Sequence, residues 1–195
     1  MKLRLLEKGN KKDIQVFMSF PFGLYRESKL WVPPFPGEIE TVMTPAKHPF
    51  YAHSDADFFV VESDKEVLGR ISVLKNQNYC EFHNEKTAFF FYFEAINDQQ
   101  VSSMLLTKAE EWAQEHGANK LMGPRGFLRS SCIGLLVDGF EFPPAMGIAY
   151  NPPYYADHLL ALGYSKESDH HSGYLDRHPH PSIHKIAEKV LPRGN

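Results

Sequence analysis

Thr87-Ala-Phe-Phe-Phe-Tyr-Phe-Glu-Ala-Ile-Asn-Asp-Gln-Gln100, with the residues that follow it to Pro124, decides how this chain folds. Ala88 to Ile96 is an aromatic run without alternation, the pattern of a strand covered on both faces. Asn97 and Asp98 can each cap a helix N-terminus by accepting a backbone N–H. From Gln99 the apolar residues fall at Val101, Met104, Leu105, Trp112 and Ala113, close to the helical period of about 3.6 residues. Gly117 can take the left-handed conformation that ends a helix. Lys120-Leu-Met122 then runs as a short strand into Gly123-Pro124. Strand, helix, strand is the parallel crossover unit, expected right-handed.

Working outward, Leu3 to Leu6 alternates with charged residues and reads as a first strand. Asn10 or Asp13 caps a helix over Ile14 to Tyr25, which Pro21 should kink or divide. Trp31-Val-Pro-Pro-Phe-Pro36 is irregular, Glu38 to Met43 a short helix, and Pro45 to His53 a loop. Asp57 to Glu62 and Val67 to Val73 flank the turn residues Ser63-Asp-Lys65 as a hairpin. Asn76 to Lys86 reads as a polar loop. After an irregular stretch from Arg125, Asn151-Pro-Pro starts a helix through Leu162, since proline suits a first helical turn. Ser165 to Leu175 is expected as a last strand. Asp176-Arg-His-Pro-His-Pro181 has linker chemistry, and Ile183 to Val190 a short helical pattern.

With 195 residues, 43% of them hydrophobic and 13% aromatic, one mixed α/β domain is expected. The formal net charge of −3 gives no reason to expect a nucleic-acid backbone or an anionic membrane as partner. Cys80 and Cys132 make neither a disulfide framework nor a zinc spacing, so no metal is expected and a reducing cytoplasm is the easier location. The amino-terminal residues become charged too soon for a signal peptide, and no apolar run approaches the roughly 20 residues of a membrane span.

The order strand, helices, antiparallel strands, strand, helix, strand, helix, strand resembles that of the GNAT (general N-acetyltransferase) superfamily. Val101 to Ala118 is similar to its acyl-CoA-binding helix, and Asn151 to Lys166 to its last helix. Phe20-Pro-Phe-Gly-Leu-Tyr25, Trp31-Val-Pro-Pro-Phe35, Gly69-Arg-Ile71, Phe91-Tyr-Phe-Glu94, Leu135-Leu-Val-Asp-Gly-Phe140 and Tyr150-Asn-Pro-Pro-Tyr-Tyr155 resemble a poorly characterised bacterial GNAT-like family. Its members often carry a second GNAT-like half, so such a half, or a homo-oligomer, is an expected partner. The likeness implies an α/β fold, a twisted mixed sheet with helices on both faces. The GNAT-like domain would span residues 1–175, with a linker and short helix over 176–195.

The resemblance also implies acetyl-CoA or another acyl-CoA as cofactor and a small-molecule amine as acceptor. The cofactor would wedge between the fourth and fifth strands, against Phe93, Ala95, Ile96, Asn97, Gln100, Val101, Ser102 and Ser103. Glu94 would serve as general base, or else simply partner Arg70. Tyr155, one turn before the position where the superfamily places its acid (here Leu159), would serve as acid. Trp31, Arg125 and Arg129 are candidates for binding substrate.

Two departures oppose this. The superfamily's phosphate-binding R/Q-x-x-G-x-G/A falls on Asn97, Gln100 and Ser102, so the arginine position and both glycines are replaced and Asp98 adds negative charge. The usual tyrosine is missing at Leu159. A catalytically degenerate GNAT-like module, binding a small molecule or a protein through the same cleft, is therefore the alternative.

Overall fold

The structure, a computed structural model, describes residues 1–128, 130–145 and 147–173. Five strands form one sheet in the order of the sequence: β1 (Lys2–Leu5), β2 (Asp55–Glu62), β3 (Val67–Lys75), β4 (Thr87–Ala95) and β5 (Lys120–Met122). Neighbours are antiparallel except β4 and β5, the crossover pair, which run parallel. The helices are α1 (Lys11–Leu24), α2 (Glu38–Val42), α3 (Gln77–His83), α4 (Gln99–Glu115) and α5 (Tyr154–Ala161).

The sheet separates two cores. On one face Phe59, Val61, Ile71, Val73 and Phe90 pack with Val101, Leu105, Ala109 and Trp112 of α4 and with Tyr155 and Leu159 of α5. On the other, Phe58, Val60, Leu74 and Phe89 pack with Ile14 and Phe17 of α1 and Ile39 and Val42 of α2. Helices thus cover both faces, as the unalternating aromatic run of β4 requires. Gly69 fits α4 closely against β3: a Cβ there would come within 2.9 Å of Val101 and of Leu105.

Three expectations change. Pro21 lies inside α1 without ending it, and Tyr25 N–H still reaches the Pro21 carbonyl. Residues 77–83 are helical rather than loop, because the Asn76 side chain accepts from Tyr79 N–H and Asn84 takes the left-handed conformation at the other end. The segment Pro45 to His53 contains two 3-10 turns, Pro45–Lys47 and Pro49–Ala52.

The chain divides into two compact units, Met1–Ser165 and Lys166–Asn195. The strand expected over Ser165 to Leu175 does not form in its described part: residues 165–173 are exposed and outside any ladder. They offer no apolar face to bury, so nothing fixes a register. Tyr174, Leu175 and the expected short helix over Ile183 to Val190 lie outside the described residues.

Candidate active site

The sequence builds this site with a bulge. Along β4, Ala88 and Phe90 face α4, and regular alternation would send Tyr92 and Glu94 the same way. Instead the register with β3 slips between Arg70 and Ser72, and Tyr92 takes φ 49°. Phe91 and Tyr92 then both lie on the α1 side, whereas Phe93 and Ala95 face α4. The parity reverses, and Glu94 is delivered to the α1 side beside Arg70. A bulge that re-aims side chains is a device of functional strands.

Pro21 supplies the next element. Lacking an N–H, it leaves the Phe17 carbonyl without its usual intrahelical partner. That carbonyl accepts a 2.6 Å bond from Arg70 Nη1, and Arg70 Nε donates to Glu94 Oε2 at 2.5 Å. The guanidinium also lies over the rings of Phe17 (4.6 Å) and Tyr92 (5.3 Å). Burial pushes the Glu94 carboxyl above its usual 4.5, against the opposing pull of Arg70 and then of Tyr25. Tyr25, at the end of α1, is 5% exposed, and its hydroxyl has no hydrogen bond of good geometry although it lies close to Glu94 and Tyr155. A buried hydroxyl without a well-formed hydrogen bond beside a half-buried carboxyl is an unusual arrangement for a purely structural core.

Trp31 stacks on Tyr25 (ring centroids 4.9 Å apart, planes at 15°) and meets Phe22 edge-on. Tyr150 closes on the same tyrosine and binds the Ser28 hydroxyl at 3.0 Å. Trp31 therefore belongs to the surroundings of Glu94. Arg125 is placed elsewhere, its guanidinium over Tyr79 and Phe89 of the α3 side. Arg129 lies outside the described residues. Tyr25 is not legible as a site residue from the sequence; its signals are its place four residues after a helix-interior proline and its membership of the phrase Phe20-Pro-Phe-Gly-Leu-Tyr25.

On the α4 side, β5 pairs with β4 only as far as Phe89, and Arg125 N–H takes the Phe90 carbonyl. Ala95 stands opposite Gly69 next to the Ile96 N–H to Leu68 C=O bond, so its own N–H and C=O point away from β3. Tyr155 Oη accepts from the Ala95 N–H at 2.8 Å, and Tyr154 Oη donates to the Ala95 carbonyl at 2.8 Å. Burial raises the Tyr155 hydroxyl well above its usual 10, and burial followed by the Glu94 charge pushes Tyr154 up to about 12. Both phenols are protonated at neutral pH. Phe93 and Val101 are buried, Asn97 and Gln100 exposed, and Ile96 and Ser103 half-buried. Ser102 is fully buried, its hydroxyl 2.8 Å from His158 Nδ1 of α5. Asp98 caps α4 by accepting from the Gln100 N–H at 2.8 Å.

Among the described residues no helix is long and apolar enough to cross a membrane, and no group of three or more His, Cys, Asp or Glu is placed to hold a metal.

A twisted mixed sheet, a bulged fourth strand parting from a short parallel fifth, and a crossover helix starting at the fork define an acyltransferase-type fold. The acetyltransferase (GNAT) family model matches residues 24–123, just over half of the chain, and the chain belongs to that family. Protein YghO of Escherichia coli is 31% identical over 184 residues, covering 93% of this chain and 47% of that protein. The bacterial ceramide synthase of Caulobacter vibrioides is 26% identical over 183 residues, with the same coverage of 93% and 47%. The chain thus spans about half the length of these relatives. Among solved structures, an aminoglycoside acetyltransferase from an uncultured soil metagenomic sample superposes with a TM-score of 0.53 at 12% identity, over 90% of this chain and 96% of that one. This last likeness concerns the fold.

Members of the family generally use acetyl-CoA or another acyl-CoA. The residues of this cleft do not fit that group as the family's motif would hold it. The Asp98 carboxylate sits on an α4 N–H that a phosphate would need, Ser102 is buried under α5, and Ala95 is already bonded through both of its backbone groups.

Glu94 gives a pH signature. Its raised pKa means that the folded state holds its proton more tightly than the unfolded chain. The resulting stability is fully present below about pH 4.5 and is lost as pH rises through the folded pKa. Glu94→Gln, which cannot ionise, removes this dependence. Its unfolding free energy relative to the parent is expected to climb with pH above 4.5 and then level off, as measured by urea unfolding across a pH series. A constant difference would show that Glu94 titrates normally.

Proposed function

We propose that this chain supplies the acceptor side of an N-acyltransferase acting on the primary amine of a long-chain, lipid-like molecule. The observation that carries the reading is the Glu94 carboxyl, re-aimed by the β4 bulge, half-buried, raised in pKa and faced by the Tyr25 hydroxyl, which has no hydrogen bond of good geometry. An amine arrives as ammonium and must lose a proton before it can attack a carbonyl. A carboxyl whose pKa is raised toward neutrality accepts that proton more readily than an ordinary surface carboxylate. Arg70 holds Oε2, so Oε1 is the atom through which the proton is taken up. The Tyr25 hydroxyl can accept from the ammonium and orient it.

The long-chain preference rests on two supports. One relative is a bacterial ceramide synthase. The segments meeting at Tyr25 and Tyr150 also expose Phe22, Val32, Phe35, Val137 and Ile148, apolar side chains suited to an alkyl tail. No step here runs through acyl-CoA; this chain's residues bind the amine, orient it and take its proton.

The test is binding of a long-chain amino alcohol below its micellar concentration, followed by calorimetry against a short hydrophilic amine. Saturable binding of the long-chain amine alone is expected, weakened about tenfold or more by Glu94→Gln, the scale of losing a hydrogen bond to a charged group. Equal affinity for the two amines, or undiminished binding by a folded Glu94→Gln variant, would overturn the proposal.

A further inference from the structure

We infer that the cleft between β4 and β5 is sealed by the chain's own α5 and does not take acyl-CoA, because Tyr154, Tyr155 and Asp98 hold the backbone groups that the cofactor would have to bind. Three independent contacts make the seal. At its inner end the two phenols satisfy both the N–H and the C=O of Ala95, the exposed edge of β4 beyond the last pair with β5. Tyr155 is fully buried there, with its ring 5.1 Å from that of Phe93, so the plug is packed as core rather than laid over the groove.

In the middle, Ser102 turns its hydroxyl to His158, and Gln99 Nε2 donates to the His158 carbonyl at 3.1 Å. These bonds tie the first turn of α4 to α5 at the level where a pyrophosphate would lie. At the outer end the Asp98 carboxylate occupies the helix N-terminus as its cap, satisfying one donor and placing negative charge where a phosphate would have to come. A dianionic pyrophosphate would meet a carboxylate and side chains where the family's motif has close backbone approach.

The consequence is that residues 1–173 do not by themselves hold acyl-CoA in the cleft between β4 and β5. This inference does not rest on the amine reading, although the two sites meet at Tyr25, whose hydroxyl lies close to both Glu94 and Tyr155.

The test is a titration of nitrogen-15-labelled protein with coenzyme A and with acetyl-CoA up to millimolar concentration, following the amides of Ala95, Gln100, Val101 and Ser102. No saturable shift is expected at these amides. In parallel, Tyr155→Phe keeps the ring and removes the acceptor; Ala95 amide exchange is expected to quicken tenfold or more while the fold, checked by the rest of the spectrum, persists. Saturable micromolar binding with shifts at these four amides would overturn the inference. So would unchanged Ala95 exchange in the folded Tyr155→Phe protein. Calorimetry of the long-chain amine on the parent protein reads Glu94, whereas the coenzyme A titration reads the amides of the cleft, so the two proposals fail separately.

Discussion

Arg70→Met is expected to lower the unfolding free energy at neutral pH by about 3–5 kcal/mol, the scale of breaking one partner out of a buried ion pair. Arg70 is 2% exposed, and its removal leaves two acceptors behind: the half-buried Glu94 carboxyl and the buried Phe17 carbonyl that Pro21 had already deprived of a helical donor. Arg70 is also the main group opposing the burial-driven rise of the Glu94 pKa, so in Arg70→Met that pKa climbs further and the carboxyl holds its proton at higher pH. The loss should therefore shrink as pH falls. Arg70→Met combined with Glu94→Leu replaces the whole pair by apolar side chains and is expected to recover most of the lost stability. The two sites touch, so their effects should be strongly non-additive. Urea unfolding of the single and double variants measures this. Additive losses in the double variant would mean that Arg70 and Glu94 act independently, contrary to the geometry.

The same residues show how far the sequence could be read. The crossover unit of β4, α4 and β5 was legible because a covered strand and an amphipathic helix leave different apolar periods. Glu94 was legible as a carboxylate among aromatics, with Arg70 as one of its two possible explanations. Its orientation was not legible. The run Ala88 to Ile96 is apolar on both faces, so a change of parity within it leaves no trace in the pattern, and the register slip against β3 and the positive φ of Tyr92 reveal it. Pro21 predicts a kink or a division of the first helix, whereas its structural effect is to free a carbonyl for Arg70. The helix Gln77–His83 is not legible in the sequence because seven mostly polar residues show no helical stripe. Tyr155 was read as a candidate acid from its position on the last helix. Its bonds to Ala95 depend on where α5 packs, and spacing within a helix says nothing of that.

Trp112→Ala is expected to cost about 3–5 kcal/mol, the range for truncating a buried aromatic. Trp112 is 2% exposed in the core beneath α4. Its Nε1 donates to Asp57 Oδ2 at 2.8 Å, and its ring stacks on His116 at 3.7 Å with planes 16° apart. Asp57 is in turn paired with Lys8 at 3.0 Å, so the indole ties α4 to β2 through a charged group that keeps a second partner. Trp112→Phe should consequently cost less, about 1.5–3 kcal/mol, the worth of one hydrogen bond to a charged group. This milder variant has a second use. The chain contains two tryptophans, and Trp112→Phe leaves Trp31, stacked on Tyr25, as the sole indole emitter. If long-chain amines bind at Glu94, Trp31 emission should shift on saturation in Trp112→Phe with the same affinity that calorimetry gives for the parent. Emission that stays constant while calorimetry reports binding would place the amine away from Tyr25 and remove Trp31 from the acceptor site.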